Sequence, residues 1–563
     1  MRTACTLLMV CCAAMCVARL TSVAQAQPSS WETGPVAVIS INSIDNILED
    51  MNFVGSLAGQ PKLGDEYQPM LAGFAPGLDG SKPIGLIVNV GEMGPSGALC
   101  VPVTDLKQLV DNLPLPGVSA EEEPDGTLVI SVQGQPFFAR EAGGWTFVSM
   151  SPEMLEGVPE DPSKIIGALT QDYDIGVRLS VQNVPEHFRD MAVAQLQMGM
   201  EAGLQQQGEE TDAQFAARRE LSQVQIEQVK VAINELDELT FGLALDGEKL
   251  RSYFDIVYTA VPGSKLAEKI ALNSDPKTNF AGFFQPDAAM MLSFASKTSE
   301  SDVAQVEQMF EAVRKQLGAA IDKEADTASD EERALIKSAM NDFLDAFLST
   351  LQKGVMDGGA VLNLSPSSAT LIAGGLVGDP SKVESGLKKL TELAAKKESK
   401  FPGVDWDADS HADVKFHTLS IPIPNDKAEP RQLFGDSMEV AVGIGKESAF
   451  FALGRDCLEA VKRVIDTSAA NPKKSVAPME MTFALKQIME VAASLADERD
   501  KPNIQMVAEM LANIADGRDH VRIVVQPIPN GARTRIEAEE GVLRAIGMAV
   551  MQAQMEAASA GGF

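Results

Sequence analysis

The sequence predicts an α+β protein made of two tandem copies of one plan, each an antiparallel sheet covered by helices and carrying a long helical insertion. Three observations predict it. Strand-like and helix-like runs recur in the same order in the two halves of the 563-residue chain. Asp246-Gly247 and Asn530-Gly531 each separate alternating apolar runs, a short-range hairpin signature that forces antiparallel pairing. Hydrophobic residues make up 45% and charged residues 22%, a globular balance with enough apolar material for a core at this length.

Each copy opens on an alternating strand followed by a helix-like run. These are Val36-Ala37-Val38-Ile39-Ser40-Ile41 before residues 44–57, and Ala289-Met290-Met291-Leu292-Ser293-Phe294 before residues 302–317. A hairpin and a helix come next, at 83–90, 98–103 and 105–110 in the first copy. Their counterparts are 359–364, 369–373 and a helix from Ser381, an N-cap residue after Pro380. The third block has strands at 127–132 and 145–150, then a helix start at Ser151-Pro152-Glu153. Its counterpart has strands at 417–422, 438–442 and 449–453, then a helix over 456–465. Single strands at 174–181 and 479–485 each lead into helix. The hairpins around Asp246-Gly247 and Asn530-Gly531 follow, closed by helices at 264–272 and 541–551. The long insertions occupy 185–237 and 331–353, at different places in the two copies. The polar stretch 273–279 gives domains at 27–275 and 276–555, with 556–563 as a disordered tail.

Residues 1–26 read as a cleaved export signal. Arg2 gives a basic start, 6–18 is an apolar run, and Ala24-Gln25-Ala26 offers a small-x-small cleavage site. The run is shorter than the ~20 residues a membrane-spanning helix needs, and Arg19 ends it. Met15 stands where a lipoprotein signal wants a small residue before Cys16. The expected product is periplasmic or secreted, with no membrane span. Loss of Arg2 and Arg19 takes the formal charge from −32 to −34. So acidic a surface excludes nucleic acid as a partner, because phosphates need a cationic face. Cys5, Cys11, Cys12 and Cys16 leave with the signal. The remaining Cys100 and Cys457 sit in apolar runs and read as small buried residues, not as a disulfide.

The sharpest local pattern is Asp405-Trp406-Asp407-Ala408-Asp409-Ser410-His411-Ala412-Asp413. Alternate carboxylates resemble the start of a calcium loop, which makes Asp405, Asp407, Asp409 and Asp413 the candidate metal ligands. The pattern departs where Ser410 replaces the turn glycine and Phe416 the closing Glu, so a solvated loop before a strand at 414–419 is expected. His411 and His417 offer nitrogen, but no HExxH or CxxC accompanies them. Gly443-Ile444-Gly445-Lys446 opens like a phosphate loop, yet Phe450-Phe451-Ala452-Leu453 continues as strand, which reads as a hairpin turn. Met548, Met551 and Met555 share one helix face and read as packing, not as copper ligands. No catalytic set and no cofactor site is assembled by these residues, so a non-catalytic protein without a cofactor is expected.

Residues 38–50 (VISINSIDNILED), running into Phe53 and Gly59, resemble the mature start of uncharacterised secreted proteins from planctomycete-type bacteria. The resemblance implies export and carries over no activity and no functional residue. The expected function is that of an exported binding or scaffolding protein whose partner is another extracytoplasmic protein, met through the helical insertions. Two alternatives stay open. One is a carrier of an apolar small molecule held between sheet and helices, to which Phe283-Phe284 and Met290-Met291-Leu292 would contribute. The other is a carboxylate- or cation-dependent hydrolase. A contiguous apolar cavity favours the carrier, and converging carboxylates of raised pKa in a cleft favour the enzyme.

Overall fold

The computed structural model describes residues 34–57, 59–74, 76–91, 94–112, 118–206, 212–324, 329–397, 401–515 and 517–560. The export signal expected at 1–26 lies outside them. The molecule is α+β, with extensive antiparallel sheet. Among the described residues no helix is long and apolar enough to cross a membrane. By packing, the chain divides into two units. The first takes Met1–Ala192, Leu236–Tyr258 and Gly547–Phe563; the second takes Val193–Glu235 and Thr259–Ile546. The change-over at Tyr258 precedes the polar stretch 273–279.

Along the chain, β1 (Ala37–Ile41) leads into α1 (Ile44–Leu57) and α2 (Leu63–Phe74). The hairpin β2 (Ile84–Gly91) and β3 (Gly94–Pro102) precedes the short α3 (Leu106–Asp111). Next come β4 (Val118–Glu122), β5 (Leu128–Val132), β6 (Gln135–Ala142), β7 (Trp145–Ser149), α4 (Ser163–Thr170) and β8 (Ile175–Ser180). Helices α5 (Glu186–Gly203) and α6 (Asp212–Glu235) then precede the hairpin β9 (Leu236–Asp246) and β10 (Arg251–Ala260). In the first unit the strand order is β4-β5-β6-β7-β3-β2-β1-β8-β9-β10, antiparallel from β4 to β9. Alternation decides which face is buried. Val38 and Ile87 point with Cys100 and Phe147 into a core closed by Leu155 and by Ile166 and Leu169 of α4. Strands β4 and β6 are not announced by the sequence, because Glu121-Glu122 and Arg140-Glu141 interrupt the apolar alternation.

The second half opens with α7 (Lys265–Leu272), the two-residue β11 (Lys277–Thr278) and β12 (Met290–Lys297). Helices α8 (Glu300–Glu324) and α9 (Asp330–Gln352) precede the hairpin β13 (Val355–Ser365) and β14 (Ser368–Leu376) and then α10 (Pro380–Lys397). The chain continues through β15 (Asp405–His411), β16 (Val414–Pro422), α11 (Ala428–Phe434), β17 (Ser437–Ile444), β18 (Ser448–Gly454) and α12 (Cys457–Ala470). It ends with β19 (Lys474–Ser475), β20 (Met479–Ala484), α13 (Leu485–Leu495), α14 (Lys501–Ala512), β21 (His520–Ile528), β22 (Gly531–Glu539) and α15 (Glu540–Ala560). The strand order in the second unit is β15-β16-β17-β18-β14-β13-β12-β20-β21-β22, antiparallel throughout. Helix α12 buries Cys457, Val461, Val464 and Ile465, a three-to-four spacing, on Val361, Ile372, Phe416 and Phe450.

Two expectations change. The sequence places one long helical insertion in each half, at different positions. Helix pairs in fact occupy both positions in both halves, and only their lengths differ. After β1 the pair has 14 and 12 residues, against 25 and 23 after β12. After β8 it has 18 and 24, against 11 and 12 after β20. The short pairs read as ordinary surface helix, so they do not stand out as insertions. The tail expected from residue 556 is helical as far as Ala560, since Ala557, Ala558 and Ala560 favour continuation of α15; residues 561–563 lie outside the described residues.

Cys100 is 0% and Cys457 2% exposed, and both are free thiols. Burial pushes their pKa up to about 12 and about 11. A thiolate is the reactive form, so neither should react in the folded protein. Native protein spanning residues 27–563 should take up no thiol-specific chromophore, and both cysteines should react after denaturation. Rapid native labelling at either residue would contradict the packing described.

Candidate functional site

The acidic motif at residues 405–413 is not a loop. Asp405–His411 forms strand β15, which turns through Ala412 and Asp413, both at positive φ, into β16. Alternating residues around Trp406 suit a strand, and the carboxylates kept the sequence from reading as one. A register shift between Asp405 and Asp409, with Asp407 at φ 53°, breaks the shared face that alternate carboxylates would otherwise occupy. Asp409 accepts from Lys462 Nζ at 2.7 Å. Asp407 lies 3.6 Å from Lys415 Nζ. His411 Nε2 meets Asp466 at 2.6 Å. Lys462 is the main reason the Asp409 carboxyl titrates below its usual range. His417 is buried under the ring of Trp406, accepts from the Asp407 N–H at Nδ1, and burial lowers its pKa. Asp405 and Asp413 sit at the start of β15 and in its turn. Among the described residues no three His, Cys, Asp or Glu groups are placed to hold a metal ion.

The feature that gathers side chains around open space lies elsewhere in the second unit. A pocket of about 440 Å³ sits between the sheet and α9. Its floor is Leu292 and Phe294 of β12, Met356 and Ala360 of β13, and Ala373 and Leu376 of β14. Its roof is Phe343, Ala346, Phe347 and Thr350 of α9, with Val383 of α10 at one side. Alternation explains the floor. Met291, Val361 and Ile372 point into the α12 core, so their neighbours Leu292, Ala360 and Ala373 point to the opposite face.

Two glycine doublets keep that floor low. Gly358-Gly359 pairs with Gly375-Gly374 across β13 and β14. On the core side, a Cβ at Gly359 would meet Phe283 at 2.8 Å and one at Gly374 would meet the Phe450 ring at 2.5 Å. On the pocket side, a Cβ at Gly358 would lie 2.6 Å from the Gly374 carbonyl and 3.0 Å from the Phe294 ring. Only glycine fits a close backbone approach of this kind.

The polar groups in the lining are already satisfied. Asp357 is 4% exposed and accepts from Thr278 Oγ1 at 2.5 Å and from the Asn279 N–H at 2.8 Å. Burial raises its pKa against the pull of those two bonds. Thr350 Oγ1 donates to the Ala346 carbonyl and accepts from the Gly378 N–H. The roof is fixed by a clamp between α9 and α10, where Asp342 accepts from Ser385 Oγ at 2.7 Å and Lys389 Nζ at 2.5 Å. Of the apolar runs singled out in the sequence, Leu292 faces the pocket, whereas Phe283 and Met291 fill the core. The doublets were the missed signal, since paired glycines inside strand-like runs mark close approach.

Carboxylates also converge in the first unit. Asp174 accepts from Asn42 Nδ2 at 3.2 Å and from the Leu245 N–H at 2.7 Å, tying β1, β8 and β9 together. Asp50 of α1 is pushed up to about pKa 7, first by burial and then by repulsion from Asp174 and Glu49. The oxygens of Asp174 serve as structural acceptors, which makes this pair a source of strain in the ionised state.

No protein-family model matches the chain, and neither a characterised protein nor a solved structure shows significant similarity to it.

The Asp50 pKa lies above its ordinary value, so the folded state binds that proton more tightly than the unfolded chain does. The cost of ionising Asp50 is absent below about pH 3, grows as the pH rises through the ordinary carboxyl value, and is complete above about pH 7. Asp50→Asn should therefore raise unfolding free energy above pH 7 by roughly 1–2 kcal/mol, allowing for screening of a half-exposed group. It should leave the value at about pH 3 unchanged. Urea unfolding at both pH values checks this, and an equal effect at both would contradict it.

Proposed function

We propose that the protein is an exported, non-catalytic binding protein, and that the second unit holds an apolar ligand between its sheet and α9. The observation that carries the reading is the pocket of about 440 Å³, within the size range of small-molecule sites and lined by aliphatic and aromatic side chains. Its polar atoms have internal partners, so an apolar guest displaces water without stranding a hydrogen bond. Export is supported by the basic start, apolar run and Ala24-Gln25-Ala26 site of residues 1–26, and by their resemblance-bearing continuation at 38–50.

The two units are, on this reading, tandem copies of one domain. The matching strand orders support it, and so does residue-level register. Val38 pairs with Ile87 and Ser40 with Gly85. Met291 pairs with Val361 and Ser293 with Gly359. Both serines bury a hydroxyl that has no partner among the described residues, and the motif after each glycine, Leu86-Ile87-Val88-Asn89 and Ala360-Val361-Leu362-Asn363, ends on Asn. The copies diverged mainly in which helix pair lengthened.

A macromolecular partner is the second reading, favoured by α5. It buries no residue among its 18 and leaves Met191 and Met198 48% and 62% exposed.

Mature protein (residues 27–563) purified without detergent should show extra mass under native conditions that disappears on denaturation and extracts into organic solvent. The delipidated protein should take up Nile red, and Ala373→Phe, which places a ring on the pocket floor, should weaken that uptake at least ~10-fold, about 1.4 kcal/mol. A bare native mass together with no Nile red uptake would overturn the ligand reading and leave α5 as the binding face.

A further inference from the structure

The roof of the pocket has an apolar surface on its other side too. Helices α8 and α9 enclose a groove of about 540 Å³ whose lining includes Val306 and Phe310 of α8 and Met340 and Leu344 of α9, all apolar. Phe343 and Phe347 line both this groove and the pocket beneath α9. They stand one helical turn apart, so the two spaces meet along a single pair of rings. Phe347 is 43% exposed although its ring packs edge-on to Phe310 at 5.5 Å. A large aromatic held between two apolar spaces and still wet is a surface left incomplete without a guest.

Charge narrows what that guest is. Asp357, the titratable group in the pocket lining, is a carboxyl whose two oxygens are already bonded. The basic groups beside the roof are committed as well: Lys389 to Asp342, and Lys382 and Arg314 to Asp345. An anionic head drawn into the pocket would lose its water, meet Asp357, and find those cations held by their own carboxylates, and the groove lining offers it no polar side chain. An uncharged chain incurs none of these penalties.

We infer that the ligand is an uncharged, elongated hydrocarbon chain that lies in the pocket and continues past Phe347 into the groove between α8 and α9. The inference rests on the ligand reading above and adds length and charge to it. Each buried methylene adds about fourfold in affinity, so a chain that reaches both spaces gains far more than one that fills the first alone. Val306→Phe fills the groove at a half-buried position and leaves the pocket lining intact.

Displacement of Nile red from the mature protein by octanol, hexadecanol and hexadecanoate tests it, with thermal unfolding as the check that each variant is folded. Hexadecanol should bind at least ~10-fold tighter than octanol and ~10-fold tighter than hexadecanoate at neutral pH. Val306→Phe should remove the preference for hexadecanol over octanol while leaving octanol binding within about twofold, and Ala373→Phe should weaken both alcohols. Equal binding of the two alcohols, or a chain-length preference that survives Val306→Phe, would confine the ligand to the pocket and overturn the inference. Tighter binding of hexadecanoate than of hexadecanol would overturn the assignment of charge. Each of these results still requires that Nile red binds. Absence of any Nile red binding removes the ligand reading itself, and this inference with it.

Discussion

The packing of α12 on β13, β14 and β18 determines where the rest of the second unit goes. Cys457, Val461, Val464 and Ile465 meet Val361, Ile372 and Phe450 on one face of the sheet, with Phe283 and Phe416 beside them, all nearly free of solvent. Once that face is the core, the two-residue period of a strand commits Leu292, Phe294, Ala360 and Ala373 to the other. That second face is apolar and needs cover of its own. Helices α9 and α10 provide it, locked to each other through Asp342, Ser385 and Lys389. Because the clamp joins helix to helix, the roof is fixed as a pair, and the space under it is set by the side chains below. Where those are glycine and alanine, the space stays open.

Much of this architecture could be read from the sequence, and the parts that could not share a cause. Strands such as Ile84–Gly91 and Ser448–Gly454 are visible because each places its apolar residues against a buried face. Strands such as Val118–Glu122 and Asp405–His411 are hidden because they carry charge where a strand is expected to carry Val or Ile. The helix pairs were half seen: a run of more than twenty residues declares itself, and a pair of twelve does not. The acidic motif misled for a related reason. Spacing alone cannot tell carboxylates that converge on one point from carboxylates that fan out along a kinked strand, and Asp407 and Asp409 have separate lysine neighbours. The pocket was the least legible of all. It depends on the absence of a side chain at positions such as Gly375, and missing atoms leave no trace in a hydropathy pattern.

Charge and apolar surface are kept apart in this molecule. The formal charge is −32, and exposed carboxylates such as Asp322 and Glu331 pair locally with lysines. Deep positions are different. Asp255, Asp342 and Asp357 are each almost fully buried, and each accepts from a hydroxyl: Tyr173, Ser385 and Thr278. A buried carboxylate with such partners fixes the elements it joins, because loss of one partner strands the charge. Asp50 shows the converse. With another carboxylate beside it, its ionised form works against the fold.

The kink at Asp407 has a consequence beyond the metal site it fails to make. Strand β15 stands at one end of its sheet, and among the described residues its only strand neighbour is β16. An open edge presents unpaired backbone donors and acceptors to any extended chain that drifts past. Here that edge is bent by a bulge and studded with carboxylates, and Trp406 is turned onto His417 and Lys388. A neighbouring molecule trying to extend the sheet would have to straighten the bulge and bring its own negative surface against Asp405, Asp407 and Asp409. The motif that looks like chemistry thus makes this edge a poor template for another strand.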